Sequence, residues 1–131
     1  MKKPTLKKAK ALMDKTFSEY MRKKHSDPHT GNVKCYTCPT MKHWKEMQLG
    51  HFCSRSYLAT RFDELNCRIQ CVSCNVFKSG NYPVFALNLT KENPKILEVL
   101  NERKQQTKKF SIKQYEEMIL DLKQKIKDLG S

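Results

Sequence analysis

The chain has 131 residues, enough for one small domain, and its composition limits what it can be. It carries 26 Lys and Arg against 13 Asp and Glu, a formal net charge of +13, and only 38% of its residues are hydrophobic. These values exclude a large barrel or a doubly wound sheet, and no apolar run approaches the roughly 20 residues that a membrane span requires. We therefore expect no contact with a membrane.

The positive charge predicts a polyanionic partner. Basic residues outnumber acidic ones in each of three segments, 1–31, 32–85 and 86–131, so the excess is not confined to a tail. A net charge of +13 exceeds the magnitude of roughly 2–8 that solubility asks of a small domain. Nucleic acid is the expected partner. Because no apolar stretch of signal-peptide length follows the basic first ten residues, we expect a cytoplasmic location.

The three segments differ in their hydrophobic pattern, and we treat them as the domain organisation. Residues 5–25 predict a basic amphipathic helix, since Leu6, Ala9, Met13, Phe17 and Tyr20 recur at three- and four-residue steps. A linker rich in turn-forming residues, 26–32, ends that helix. Over 33–81 the apolar residues no longer recur with a helical period, and cysteines and aromatics are frequent, which indicates hairpin or irregular structure.

Helical patterns return in the C-terminal segment. Asn93 and Pro94 predict a helix start, Ser111 with Gln114 predicts a capping box, and Gly130 predicts a helix end. The last helix carries a heptad-like apolar stripe formed by Ile112, Tyr115, Ile119, Leu122, Ile126 and Leu129. The stripe could form a homodimer through 112–129 or pack against its own domain, and the sequence leaves both open.

Four of the six cysteines form two CxxC pairs, which predict one structural zinc site. The pairs are Cys35 with Cys38 and Cys71 with Cys74, with 32 residues between the inner cysteines. Two CxxC turns supply the four soft ligands that tetrahedral zinc prefers, whereas disulfides would need an oxidising compartment. Cys53 and Cys67 lie between the pairs and are expected to be buried small hydrophobic residues.

The segment between the pairs carries a recognisable motif. His51 follows Gly50, Asn66 comes fifteen residues later, and Asn75 directly follows the last CxxC cysteine. This order resembles the HNH (ββα-metal) endonuclease motif. The wider pattern of FSEYMR, GHFCSR, ATRFDELN and QCVSCN resembles the phage NinG (Rap) recombination proteins, a family similar to branched-DNA endonucleases of lambda-like phages.

The resemblance implies a role for each residue in phosphodiester hydrolysis. His51 would be the general base that deprotonates water, and Asn75 would bind a catalytic Mg²⁺ or Mn²⁺ through its carbonyl oxygen. Asn66 would hold the loop and orient His51. The expected phosphate or DNA contacts are Arg55, Arg61 and the weaker candidate Lys78.

Two positions depart from the resembled pattern. Many HNH enzymes have Asp or His immediately before the base as a second metal ligand, but this chain has Gly50. Either Asn75 and waters suffice, or an acidic residue replaces the ligand, with Asp63 as the best candidate and Glu46 and Glu64 behind it. The second departure is Arg68, where NinG-like sequences often have His.

The sequence therefore predicts a small α+β protein in which a zinc-clamped ββα-metal core is flanked by N- and C-terminal helices. The expected function is metal-dependent endonucleolytic cleavage of branched DNA or recombination intermediates. The alternative is a zinc-ribbon module that binds DNA and has lost catalysis.

Overall fold

A computed structural model describes residues 4–130; the outer ends of the predicted segments 1–31 and 86–131, Met1–Lys3 and Ser131, lie outside the described residues. The architecture is mixed α and β, as predicted. The elements in chain order are α1 (Leu6–Lys24), β1 (Asn32–Lys34), β2 (Met41–His43), β3 (Gln48–His51), α2 (Leu58–Arg61), β4 (Cys67–Gln70), α3 (Tyr82–Glu92), α4 (Ile96–Lys104) and α5 (Ile112–Asp128). A wide π-turn, Ser73–Phe77, follows β4, and short 3₁₀ turns cover Trp44–Glu46 and Glu64–Asn66.

The first and last helices pack along each other and confirm the expected amphipathic patterns. Thr5 caps α1 by accepting a hydrogen bond from the backbone of Lys8 at 3.1 Å. The predicted capping box of Ser111 and Gln114 starts α5. One hydrophobic core holds the buried faces of both helices, including Phe17 and Tyr115.

The apolar stripe of α5 is therefore covered within the same chain. Tyr115, Ile119 and Leu122 are 1%, 4% and 7% exposed, and they pack in the core that α1 shares. Of the two readings that the heptad left open, the structure shows the intramolecular one. The homodimer through 112–129 stays a prediction, and it would have to use side chains of α5 other than the buried ones, such as the exposed Leu120.

Two short antiparallel hairpins lie against this helix pair. In the first, β1 pairs with β2, and the Cys35–Cys38 turn connects them. In the second, β3 pairs with β4 in a register that sets Gly50 opposite Arg68 and His51 opposite Cys67. β3, β4 and the π-turn thus occur in this order in the segment where the sequence predicts the catalytic residues.

A second, smaller core packs α3 and α4 beside the hairpins. It contains Cys53, Phe85, Leu89, Ile96 and Leu100. Cys53 and Cys67 are 8% and 0% exposed, which confirms that they are buried small hydrophobic residues.

The predicted start of α4 at Asn93 was wrong. The helix begins at Ile96, and the Asn93 side chain instead accepts a hydrogen bond from the backbone of Lys95 at 3.0 Å in the turn after α3. The expected helix end at Gly130 is confirmed, with a φ of +95°. Among residues 4–130, no helix is both long and apolar enough to cross a membrane.

Candidate functional site

The four predicted zinc cysteines meet at one point. Cys35 and Cys38 lie in the turn between β1 and β2, and Cys71 and Cys74 lie just after β4, so both hairpins contribute one CxxC pair. Their four Sγ atoms lie within 4.8 Å of one another, and those of Cys38 and Cys71 are 3.6 Å apart. Sulfurs about 2.3 Å from a tetrahedral zinc would be separated by about 3.8 Å. The cluster is thus positioned to bind one metal ion.

The surroundings of the cluster fit metal-bound thiolates. Backbone N–H groups point at the sulfurs: Cys71 donates to Cys35 Sγ at 3.3 Å, and Cys74 donates to Cys71 Sγ at 3.5 Å. All six cysteines, which lie within the described part of the chain, are free of disulfides. The hydrogen bond between Cys38 and Thr40 lowers the pKa of the Cys38 thiol to about 6, while burial raises the pKa of Cys71 to about 11. A cation is needed to hold all four sulfurs as thiolates.

His51 ends β3 with its imidazole fixed by the backbone of the following loop. Its Nε2 lies 2.9 Å from the carbonyl oxygen of Arg61. A carbonyl oxygen only accepts hydrogen bonds, so Nε2 carries the proton and the neutral ring keeps Nδ1 as a proton acceptor. Burial lowers the pKa of His51 below its ordinary value, and the guanidinium groups of Arg55 and Arg61 lower it further. The ring is therefore neutral at pH 7.

His51 and Asn75 line one cleft, with Arg55 beside them. The cleft has a volume of about 280 Å³, and its lining consists of Leu49, His51, Ser54, Arg55, Asn75 and Tyr82. On its other side, His51 and Arg55 also line a cavity of about 340 Å³ that is bounded by α1. The structure thus brings together an imidazole, an amide and a guanidinium group from β3, the following loop and the π-turn.

Asn75 lines this cleft, and hydrogen bonds hold both its backbone and its side-chain amide. Its backbone N–H donates to the carbonyl oxygen of Cys71 at 2.9 Å, and its side-chain Nδ2 donates to Oε1 of Gln48 at 2.8 Å. Within residues 4–130, no hydrogen bond uses its Oδ1. That oxygen is the hard ligand atom that a divalent cation of the Mg²⁺ class prefers.

Asn66 is fully buried and holds the loop that follows β3. Its Oδ1 accepts from the backbone of Cys53 at 2.7 Å, and its Nδ2 donates to the carbonyl oxygens of Cys53 and Thr60 at 3.0 and 3.1 Å. Its side chain does not hydrogen-bond to His51, contrary to expectation, because these three bonds engage the whole amide. The carbonyl of Arg61 orients the imidazole instead.

Arg61 and Arg55 share a partner that sequence reasoning missed, Asp14 of α1. Arg61 donates to both carboxylate oxygens of Asp14 and to the carbonyl of Arg55, and its side chain is only 13% exposed. The pKa of Asp14, which burial raises, is nevertheless lowered overall by the two arginines. Arg61 therefore does not face the cleft as a phosphate contact; it ties the loop to α1.

Arg55 is differently placed, with a side chain that is 56% exposed and a single 2.8 Å bond to Asp14. Arg55 lines the cleft, and its contact with a phosphate there stays a prediction. The signal for Asp14 was present in the sequence: it is an acidic residue among lysines, next to Met13 on the buried face of α1.

The acidic candidates do not reach the cleft. Asp63 caps the 3₁₀ turn through the backbone of Leu65 and pairs with Arg103 at 2.8 Å. Glu64 pairs with Lys24 at 2.8 Å. Asp63 and Glu64 line a separate cavity of about 550 Å³, and Glu46 is also absent from the cleft lining. None of the three substitutes for the ligand missing at position 50.

The absence of a side chain at position 50 has a steric cause. A Cβ on Gly50 would lie 2.0 Å from Oε1 of Gln70. Gln70 is fully buried, and its Nε2 donates to Thr37 and to the carbonyl of Gly80, so its amide is fixed. Its Oε1 is a buried polar atom without a hydrogen-bond partner among residues 4–130. Gln70 occupies the space that a side chain at position 50 would need.

Arg68, the second departure, lies outside the cleft. It pairs with Glu92 at 3.1 Å and donates to the carbonyls of Leu65 and Cys67, and its guanidinium stacks on Tyr36. Lys78 is exposed at the end of the π-turn.

Comparison with known protein families gives one match. The model of the family described as Bacteriophage Lambda NinG protein matches residues 1–131, the whole chain. The chain belongs to the NinG family. No curated protein and no solved structure matched it. In this NinG-family chain, then, a four-cysteine metal site stands next to a cleft formed by His51, Asn75 and Arg55.

Proposed function

We propose that this NinG-family protein is a metal-dependent DNA endonuclease of the HNH type, acting on branched DNA or recombination intermediates in the bacterial host cytoplasm. The observation that carries the proposal is the shared cleft of His51 and Asn75, with an imidazole that presents Nδ1 as a proton acceptor. The strand–strand–turn order around the cysteine cluster supports it, because the ββα-metal motif that the sequence resembles has the same order.

The four cysteines would hold a structural zinc. Four thiolates form a soft, closed tetrahedral set with no open position for a substrate. Zinc there would join the two hairpins, and so fix the π-turn that carries Asn75 relative to the strand that carries His51. Its contribution is to the folding of a small core.

The hydrolytic step follows from the cleft residues. Nδ1 of His51 takes a proton from water, the oxygen of that water attacks phosphorus, and the bond from phosphorus to the leaving oxygen breaks. Arg55 binds a non-bridging oxygen of the phosphate. Asn75 Oδ1 would hold Mg²⁺ or Mn²⁺, which would supply positive charge to the phosphate and the leaving oxygen. The leaving oxygen takes its proton from solvent, and His51 returns its own to solvent.

A specific observation favours the second candidate, a module that binds DNA without cutting it. No acidic side chain is among the residues that line the cleft, and Gln70 excludes one from position 50. A cation there would rest on Asn75, water and phosphate oxygens. This candidate predicts tight, salt-dependent binding of DNA without strand scission.

A nuclease assay on several DNA shapes separates the two. The zinc-loaded protein is incubated with a four-way junction, a flap and a linear duplex, in Mg²⁺ or Mn²⁺. We expect scission of branched DNA, with the rate reduced by about 10²–10⁴-fold in His51→Ala. The control His29→Ala removes an exposed imidazole outside the cleft and should cut normally. Scission by neither wild type nor control, with binding intact, would leave only the binding module.

A further inference from the structure

The π-turn presents an apolar face to solvent beside the cleft. Val72, Val76 and Phe77 are 38%, 53% and 80% exposed, and Phe77 is the most exposed large hydrophobic side chain among residues 4–130. Leaving such a side chain exposed forgoes the roughly 1.5–3 kcal/mol of stabilisation that its full burial would contribute. Phe77 therefore adds nothing to the core, and packing does not explain why a large apolar residue occupies this exposed position.

The backbone of the turn holds this face outward. Lys78 donates to the carbonyl of Ser73 at 2.9 Å, five residues back, and Gly80 donates to Cys74 at 2.8 Å. Such a turn is wider than an α-helical one, so it accommodates an additional residue. Cys74 and Asn75 point inward to the cysteine cluster and the cleft, whereas Val76 and Phe77, which follow them, face solvent.

The charge around the face indicates what covers it. No Asp or Glu occurs from Cys67 to Lys91, while Lys78 directly follows Phe77 and Arg55 lines the cleft. An apolar surface bordered by basic side chains on a chain of net charge +13 is complementary to nucleic acid, whose backbone is anionic and whose base faces are apolar. The face and the cleft are linked through the π-turn, since Asn75, which lines the cleft, directly precedes Val76 and Phe77 in the chain.

Base faces are accessible only where stacking is interrupted. In an intact linear duplex each base is covered by its neighbours. An exposed aromatic ring can therefore reach a base face only by separating two stacked base pairs. At an open branch point, such as a four-way junction without divalent cations, the terminal base pairs of the arms are not stacked on one another. A rigid Phe side chain next to the cleft can then stack on a base without that cost.

We infer that Phe77, supported by Val76 and Val72, stacks on exposed bases at interruptions of the DNA duplex and gives the cleft its preference for branched over linear DNA. The inference rests on the proposed function for the step that follows binding, but the recognition itself requires no cleavage. The ligand class is DNA with unstacked bases.

Binding measurements in the absence of divalent cations test this. Dissociation constants are measured for a four-way junction and for a linear duplex of the same length, with wild type, Phe77→Ala and Phe77→Trp. Leu120→Ala is the matched control, because Leu120 is 69% exposed but lies on α5. We expect Phe77→Ala to weaken junction binding about tenfold, Phe77→Trp to retain it, and duplex binding to change less than twofold in each.

A fluorescent base reports on stacking directly. With 2-aminopurine at the branch point, wild type and Phe77→Trp should change its emission, and Phe77→Ala should not. Unchanged junction affinity in Phe77→Ala, or equal loss on junction and duplex, would overturn the inference. So would a loss of self-association in Phe77→Ala, since the face would then bind a second copy of the chain.

The two proposals fail separately. If Phe77→Ala binds both DNAs as the wild type does and the enzyme still cuts, the stacking role is wrong and the nuclease proposal stands. If no variant cuts but Phe77→Ala alone loses junction preference, the stacking role stands and the nuclease proposal fails.

Discussion

The imidazole Nε2 of His51 lies 2.9 Å from the carbonyl oxygen of Arg61, and this contact links the cleft to α1. Arg61 is in turn held by both carboxylate oxygens of Asp14 on the first helix. The tautomer of the proposed base is therefore set by the backbone carbonyl of Arg61, whose side chain forms an ion pair with a residue 47 positions earlier in the chain.

The pH dependence of cleavage should reflect the lowered pKa of His51. A general base must be neutral, so the rate should rise as pH increases through the folded-state pKa, which burial places below the ordinary 6.5. We expect the rate under single-turnover conditions to be level from about pH 7 upward and to fall only at pH values below the ordinary 6.5. A rate that still increased tenfold per pH unit between 7 and 8 would contradict the neutral, buried imidazole.

The Asp14–Arg61 ion pair should matter for stability as well as activity. The two side chains are 19% and 13% exposed, so Asp14→Ala would leave a largely buried guanidinium without its partner. We expect a loss of about 1–3 kcal/mol in the free energy of unfolding, measured by urea denaturation of the zinc-loaded protein.

A double-mutant cycle isolates the pair. Asp14→Ala combined with Arg61→Ala should cost less than the sum of the single changes, because the double variant leaves no unpaired charge. Additive costs would show that the two side chains do not interact. Glu19→Ala, at the other acidic residue of α1, is the control and should change stability by less than 0.5 kcal/mol, about the limit for an ordinary surface change.

Metal removal should unfold the hairpins. The cysteine cluster joins the two CxxC turns, so chelation of its metal should abolish cooperative unfolding, and Cys38→Ser should lower the bound zinc from about one per chain. Elemental analysis and circular dichroism measure both effects. Cys53→Ala, a buried cysteine outside the cluster, should keep its zinc; equal zinc loss in both variants would contradict the assignment of the ligands.

The close approach of Gly50 and Gln70 predicts a coupled pair of substitutions. Gly50→Ala places a Cβ 2.0 Å from Gln70 Oε1 and should destabilise the protein by about 1–3 kcal/mol. Gln70→Ala removes the obstructing amide, so the double variant should be less destabilised than the sum of the single ones. Thermal unfolding measures all three. Strict additivity would show that Gln70 does not exclude side chains from position 50.

The α5 stripe predicts what a C-terminal truncation would do. Ending the chain after Arg103 would remove Tyr115, Ile119 and Leu122 and expose the face of α1 that carries Phe17. We therefore expect the truncated chain to lose cooperative unfolding even with zinc bound, because the helix that covers the apolar face of α1 in the larger core is lost. A truncated protein that unfolds as sharply as the full chain would show that the zinc core is independent.

The sequence predicted those features that depend on the types and spacing of residues along the chain. The amphipathic α1, the capping box at Ser111 and the convergence of the CxxC pairs depend on spacing along the chain, and the structure shows each of them. The helix α4 begins at Ile96 and not at the predicted Asn93, because the Asn93 side chain stabilises a turn rather than a helix cap.

The contacts that sequence could not predict are those between distant segments. Asp14 reaches Arg61 only because α1 crosses the loop after β3, and Gln70 reaches Gly50 only through the strand register. The same holds for Asp63, whose pairing with Arg103 of α4 keeps it from the cleft. His51, Asn75 and Arg55 were predicted from the resemblance to the HNH motif, and their shared cleft is a property of the fold.

A crystal structure of the zinc-loaded protein with Mn²⁺ and a non-cleavable DNA analogue, read by anomalous scattering at the manganese edge, would show whether the cleft holds a metal ion and a phosphate together. We expect a manganese peak about 2.2 Å from Asn75 Oδ1, in contact with a phosphate oxygen, with Nδ1 of His51 facing the same phosphorus. Manganese bound elsewhere, or a phosphate out of reach of His51, would contradict it.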